Sequence, residues 1–120
     1  MNDSFLRAVI LKVAFNPEPL RKVQAALLYV ALTGETFTAD ILPGELINGD
    51  TRLAGCATGA LATMRLIERV GRVKSPAKSR NGCWVNSWRI ASGRIETVKV
   101  WLKRNGFELP SEKQAELAIV

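Results

Sequence analysis

The first third of the chain carries two apolar patterns of helical period. Apolar residues recur at steps of three and four within residues 4–15, which predicts a short first helix, although Val, Ile and Phe also suit a strand. Pro17 and Pro19 then precede a nearly continuous apolar run over residues 20–32 that stops before Gly34. Because this run is apolar on almost every side, it predicts a central helix around which the other elements pack.

The middle of the chain predicts a strand, a short helix and then a long helix. Residues 36–38 favour β-structure, and Thr38 can cap a stubby helix that Pro43 interrupts. After a turn at residues 48–50, a long helix is expected over residues 52–70, closed by Gly71. At 100° per residue its expected core face carries Leu53, Ala57, Ala60, Met64 and Ile67. The opposite face carries Gly55, Thr58, Ala62, Arg65 and Arg69.

A β-hairpin is predicted after the long helix, because Asn81 and Gly82 are typical of a two-residue turn. The register that this turn sets pairs Val73 with Ile90 and Ser75 with Trp88 on an apolar side, where Trp84 also lies. Core packing is therefore the favoured interpretation of the two tryptophans, with stacking on bases as the alternative. The same register pairs Lys74 with Arg89, a repulsive pair that bound phosphates would relieve.

The C-terminal part predicts further helix. Ser92 can cap a helix over residues 93–105, ended by Gly106, and residues 110–111 can start a short terminal helix. The expected apolar stripe of the first of these helices consists of Ile95, Val98, Trp101 and Leu102. The last residues of the chain are apolar, so they are expected either to dock on the domain or to join a partner.

Composition narrows the function more than the fold. The chain has 120 residues, 48 % of them apolar and 23 % charged, as expected for one globular domain. It contains no histidine, which removes the commonest general base and His-containing zinc sites. Cys56 and Cys83 lack metal-ligand or redox spacing and are interpreted as small buried hydrophobes. We expect no cofactor, no metal and no enzymatic activity.

The cellular location of the protein is also predicted, from its apolar stretches. Asp3, Arg7 and Lys12 interrupt the N-terminal apolar stretch where a signal peptide needs a clean hydrophobic run. No apolar window is long enough to span a membrane. A cytoplasmic protein with no membrane partner is therefore expected.

Positive charge is concentrated in one part of the chain. The net charge is +6, yet residues 51–94 hold nine basic residues against the single acid Glu68. Any one surface Lys or Arg is ordinarily just solvated. Nine of them on one predicted helix and hairpin instead favour a polyanionic partner, with nucleic acid first among the candidates.

The order of predicted elements resembles that of a winged helix-turn-helix domain, over about residues 19–90. The residues that carry the resemblance are 36–42 for the strand and second helix, 51–70 for the recognition helix and 72–90 for the wing. They are similar to small winged-helix proteins of bacteriophages and mobile elements. The resemblance implies a mainly helical α+β fold: an N-terminal helix in residues 1–16, a winged helix-turn-helix core in residues 17–91 and a helical extension in residues 92–120.

The same resemblance implies a nucleic-acid-binding site, with the long helix in the major groove of DNA and the wing on an adjacent groove or the backbone. Carried over to this chain, the candidate residues are Arg52, Thr58, Arg65, Arg69, Arg72, Lys74, Lys78, Arg80 and Arg89. Gly55 and Gly59 would let the helix backbone approach DNA or, equally well, pack against the second helix.

Two functions of different classes follow. The first is sequence-specific binding of double-stranded DNA, as a transcriptional regulator or a phage replication accessory protein, with a homodimer expected from the apolar terminal segments. The second is a winged-helix adaptor or inhibitor that binds an acidic surface of a host protein. A continuous basic surface would favour DNA, and separated basic patches would favour the adaptor.

Overall fold

The structure, a computed structural model, describes residues 3–42, 46, 51–74 and 84–109. Within these residues the chain forms helices α1 (Asp3–Val13), α2 (Pro19–Ala31), α3 (Thr51–Thr63) and α4 (Ile95–Arg104). A 3-10 helix covers Ala39–Ile41, and strands β1 (Ile67–Lys74) and β2 (Trp84–Ile90) form an antiparallel pair. This is a mainly helical α+β fold, as predicted. Pro43, the turn at residues 48–50, Lys78, Arg80, the Asn81-Gly82 turn, Cys83 and residues 110–120 lie outside the described residues.

Helix α2 is the centre of the fold, as its apolar run predicted. A proline lies in its first turn, and every residue from 23 to 31 is buried. Helices α1 and α3 both pack against it. The core around α2 also takes Val13 from α1, Leu61 from α3, and Val98 and Leu102 from α4. One hydrophobic core therefore includes side chains from both the N-terminal and the C-terminal helix.

The predicted long helix is wrong in its second half. Helix α3 ends at Thr63, and the chain enters β1 at Ile67. Arg65 has a φ of 62°, and the amides of Arg65 and Leu66 donate to the carbonyl oxygens of Ala62 and Leu61. These two bonds define a Schellman motif, which closes a helix with one left-handed residue. Here that residue is Arg65. The prediction that Gly71 closes the helix is therefore wrong.

The hairpin register also differs from the prediction. Arg89 lies opposite Glu68 rather than Lys74, and Lys74 lies opposite Trp84. A bulge between Arg69 and Gly71 shifts the pairing within β1. The ladder starts earlier than predicted because residues 67–70 are strand, which buries Ile67 and brings opposite charges together.

A third strand-like segment adjoins β2, as the β-favouring residues 36–38 predicted. The backbone amide of Phe37 donates to the carbonyl oxygen of Trp88 at 2.9 Å, and the backbone amide of Trp88 donates to the carbonyl oxygen of Phe37 at 2.8 Å. This antiparallel bridge ties the chain that leaves α2 to the hairpin. Phe37 itself is buried in the core.

Helix α4 confirms the predicted C-terminal helix with a later start. Its N-cap is Arg94, not Ser92, and no side chain caps it. Val98 and Leu102 are buried as expected, but Ile95 is exposed. Gly106 ends the helix with a φ of 83°. None of the helices in the described part of the chain is long and apolar enough to cross a membrane.

Candidate nucleic-acid interface

An open groove of about 250 Å³ separates α3 from the hairpin. Its walls come from three elements: the 3-10 helix, the first half of α3, and the facing surface of the hairpin. The residues that line it include Ala39, Gly55, Thr58, Arg72, Trp84, Asn86 and Trp88.

The hairpin contributes a basic and aromatic face to this groove. Paired residues of an antiparallel ladder point to the same side, and successive residues alternate. Trp84, Asn86 and Trp88 therefore share one face with their partners Lys74, Arg72 and Arg69. We refer to these six residues as the hairpin face. It carries three cations beside two indole rings.

The two tryptophans of the hairpin face have different environments. Trp88 is partly buried and packs against the core, as predicted. Trp84 is 57 % exposed, so its predicted core position is wrong. The Nζ atom of Lys74 lies 6.0 Å from the centroid of the Trp84 ring, at the outer limit of cation–π attraction. Trp84 thus presents an accessible ring at the edge of the groove with a cation beside it.

The exposed face of α3 is formed by residues with small side chains, apart from Arg52. Gly55, Cys56, Gly59 and Thr63 are exposed along it. The predicted burial of Cys56 is therefore wrong. A Cβ atom added at Gly55 or Gly59 would meet nothing within 4 Å, so neither glycine serves packing against another described element. The backbone of α3 is open to close approach by a partner.

Thr58, a predicted DNA contact, does not lie on that exposed face. It is only 5 % exposed, and its hydroxyl is 3.2 Å and 3.0 Å from the carbonyl oxygens of Ala54 and Gly55. The predicted core face of the helix was rotated from the observed one, on which Ala54, Ala57, Thr58 and Leu61 are buried. Met64, expected in the core, is exposed. The predicted core face assumed one helix over residues 52–70, and it is wrong because the helix ends at Thr63.

The arginines predicted on the end of a recognition helix lie elsewhere. Arg65 is exposed in the turn that closes α3, and Arg69 is exposed on β1. Arg89 lies on the side of the hairpin away from Arg72 and Lys74 and pairs with Glu68, with 2.8 Å between Nε and Oε1. The predicted set therefore divides: Arg69, Arg72 and Lys74 share the hairpin face, and Arg89 does not.

The sequence did not predict Asn86 as a member of the site, and it gave stacking of Trp84 on bases only as the alternative to core packing. The signal was present, since Trp84, Asn86 and Trp88 alternate with period two, but the predicted register placed the two tryptophans on an apolar side. In the observed register, none of the residues of α3, β1 or β2 that face the groove is acidic. The one acid in those three elements, Glu68, lies on the other side of the hairpin.

The arrangement supplies binding groups. Arginine and lysine donate to phosphates, an indole ring stacks on planar groups, and an asparagine amide both donates and accepts. Among the described residues, no three His, Cys, Asp or Glu side chains are placed to hold a metal ion. No protein-family model, curated protein or solved structure matches this chain.

Proposed function

We propose that the protein binds double-stranded DNA through the groove between α3 and the hairpin face. The observation that carries the proposal is the grouping of Arg69, Arg72 and Lys74 on one face of the hairpin beside an open groove. Cations on one face can follow a phosphate backbone, since each can neutralise one phosphate and release its counterion. The described acid closest in sequence to them, Glu68, is engaged by Arg89.

The order and pairing of the elements support a winged helix-turn-helix as the scaffold of this interface. Two helices, a bridged strand residue, a 3-10 helix, α3 and a hairpin follow one another, and β2 lies between β1 and the Phe37 bridge. In such a domain α3 would enter the major groove, and the hairpin would contact an adjacent groove or the backbone. The small exposed side chains of α3 favour a close approach of the helix to DNA.

Sequence specificity is part of the proposal, with a regulator of transcription or a replication accessory as the corresponding roles. Side chains that read base edges must be long and polar enough to reach them. On the exposed face of α3 Arg52 fits that requirement, and Asn86 fits it within the groove. We therefore expect modest discrimination between sites and a large contribution from phosphate contacts.

The test is a binding series between the full chain and random duplex DNA over a range of salt concentrations. Affinity should fall steeply as salt rises, because phosphate contacts release counterions. A matched series with duplexes of many sequences then measures specificity. Affinity that is undetectable at low salt, or constant with salt, would contradict DNA binding.

A second candidate is an adaptor that binds an acidic protein surface. The observation that favours it is that Arg65, exposed in the turn that closes α3, and Arg94, exposed before α4, are not part of the hairpin face. A phosphate backbone would use one continuous surface, whereas separate patches suit a protein partner. An unstructured polyglutamate chain and duplex DNA of equal charge, compared at the same salt, distinguish the two partners.

A homodimer belongs to the same proposal. Leu11 is 76 % exposed and Phe15 59 % exposed at the end of α1, and Val100 is exposed on α4. Apolar side chains at these positions would gain by burial against a second copy, which would also present two grooves to a palindromic site. Light scattering of the free protein and of its DNA complex tests it, and a monomer in both would contradict it.

A further inference from the structure

We infer that Trp84 forms a stacking platform for an unpaired base, so that the groove prefers DNA with an unpaired nucleotide over fully paired duplex. This inference rests on the proposed DNA binding and adds the class of DNA that the groove takes. It depends on how Trp84, Lys74, Arg72 and Asn86 are placed around one opening.

The exposure of Trp84 is unusual for so large an apolar group beside a formed core. The neighbouring tryptophan of the same face, Trp88, packs on the core, whereas Trp84 is 57 % exposed. Nothing in the ladder requires an indole there, since its partner is Lys74. Proteins that bind single-stranded nucleic acid use exposed aromatic rings within a basic groove, because any base can stack on such a ring.

The groups around the ring match the other parts of a nucleotide. Lys74 holds its ammonium group 6.0 Å from the ring centroid, a weak contact that a phosphate next to a stacked base would replace. Arg72 lines the same groove and supplies a second cation. Asn86 is half-buried and lies two residues after Trp84 on β2. Its amide can contact the edge of a base.

The opposite wall of the groove leaves room for the base. It includes Gly55, which has no side chain, and the buried Thr58. A Cβ atom at Gly55 would meet no described atom within 4 Å, so this side of the groove is open. A base in a continuous duplex is already stacked on both faces and cannot also cover Trp84. An unpaired base can, and this difference is the source of the predicted preference.

The experiment compares three probes: a fully paired duplex, the same duplex with one unpaired 2-aminopurine, and the single strand that carries it. The full chain should bind the unpaired probes about tenfold more tightly than the paired duplex, which corresponds to one stacked base. Binding should quench 2-aminopurine fluorescence, because that signal falls when the base stacks. Trp84→Leu should abolish both the preference and the quenching while it retains binding to paired duplex. Trp84→Phe should restore part of each.

The control is Ile95→Ala, which removes an exposed apolar side chain from the start of α4 and should change neither readout. The inference is overturned if the wild-type chain shows no preference, or if Trp84→Leu keeps the preference and the quenching. Equal loss of affinity for all three probes in Trp84→Leu would also overturn it and would place the indole on the sugar-phosphate backbone. Failure of the wild-type chain to bind any probe would instead refute the proposed DNA binding itself.

Discussion

Glu68 and Arg89 lie opposite each other on β1 and β2, and their side chains form an ion pair of 2.8 Å between Oε1 and Nε. The pair neutralises one predicted phosphate contact and holds the only acid of the described hairpin. Both side chains are partly exposed, so the pair contributes at most about 1 kcal/mol to stability. Its larger effect is that, within the described strands β1 and β2, the unneutralised positive charge lies on the face with Arg72 and Lys74.

Replacement of Glu68 should therefore strengthen DNA binding. In Glu68→Gln, Arg89 gains the freedom to reach a phosphate, and affinity for duplex DNA should rise by up to about fivefold at low salt. Gel-shift titration measures the change. Glu96→Gln is the matched control, because Glu96 forms a comparable surface pair with Lys99 on α4, 3.6 Å apart. An equal gain in both variants would indicate a general effect of net charge.

The hairpin face should carry the salt dependence. In the double variant Arg72→Ala and Lys74→Ala, the slope of log affinity against log salt should become shallower by about two units. Both side chains are exposed, so the free energy of unfolding should change by less than about 0.5 kcal/mol for each. Lys99→Ala with Lys103→Ala removes the same charge from α4. If that pair flattens the slope as much, the groove is not the phosphate-binding surface.

Cys56 tests whether α3 enters DNA. Its thiol is exposed on the face of small residues, so it should react readily with a maleimide. In a Cys83→Ser background, attachment of a bulky maleimide to Cys56 should reduce DNA affinity by at least about tenfold, because the adduct would occupy the space between helix and DNA. The control carries the same adduct at Thr97→Cys on α4 in a chain without other cysteines. Undiminished binding by the Cys56 adduct would remove α3 from the interface.

Gly55 and Gly59 should show stability and binding moving in opposite directions. Both lie inside α3 with open space around them, so Gly55→Ala and Gly59→Ala should each stabilise the fold by about 0.5–1 kcal/mol. If the backbone of α3 approaches DNA closely, Gly55→Ala should weaken binding despite this gain. Urea unfolding and gel-shift titration of the same preparations measure the two effects. Stabilisation without loss of affinity would show that the close approach is absent.

Tyr29 should make stability depend on pH in the alkaline range. Burial, with a smaller contribution from the Glu108 carboxylate, raises the pKa of its phenol to about 12. The neutral form is thus favoured in the folded state, and its contribution is complete below about pH 10 and is lost as pH rises toward 12. The hydroxyl donates to the backbone oxygen of Glu108.

Tyr29→Phe should cost about 1 kcal/mol at neutral pH through the lost hydrogen bond. The unfolding free energy of the wild type relative to Tyr29→Phe should fall steadily between pH 10 and pH 12. Urea unfolding at several pH values measures it. A constant difference across that range would contradict the raised pKa.

Much of the helical framework could be predicted because its signals are local. In α2 a proline at the start and a glycine beyond the end flank an apolar run, and these features act within a few residues of the helix. Helix α4 is similar, since Gly106 adopts the left-handed conformation that closes it. The concentration of positive charge in residues 51–94 was equally visible, because charge does not depend on the fold.

The junction between α3 and β1 could not be predicted from local pattern. Leu66 and Ile67 satisfy a helical stripe and a buried strand equally well, and Arg65 is an unusual residue for a left-handed helix end. Pairing with β2 and burial of Ile67 make this segment a strand instead of a continuation of the helix. Both effects depend on residues more than twenty positions away. The sequence by itself determined the α+β class, the central helix and the basic segment. Only the tertiary structure decided which basic residues share a face and that Trp84 is exposed, because strand register selects the side of every residue in a ladder.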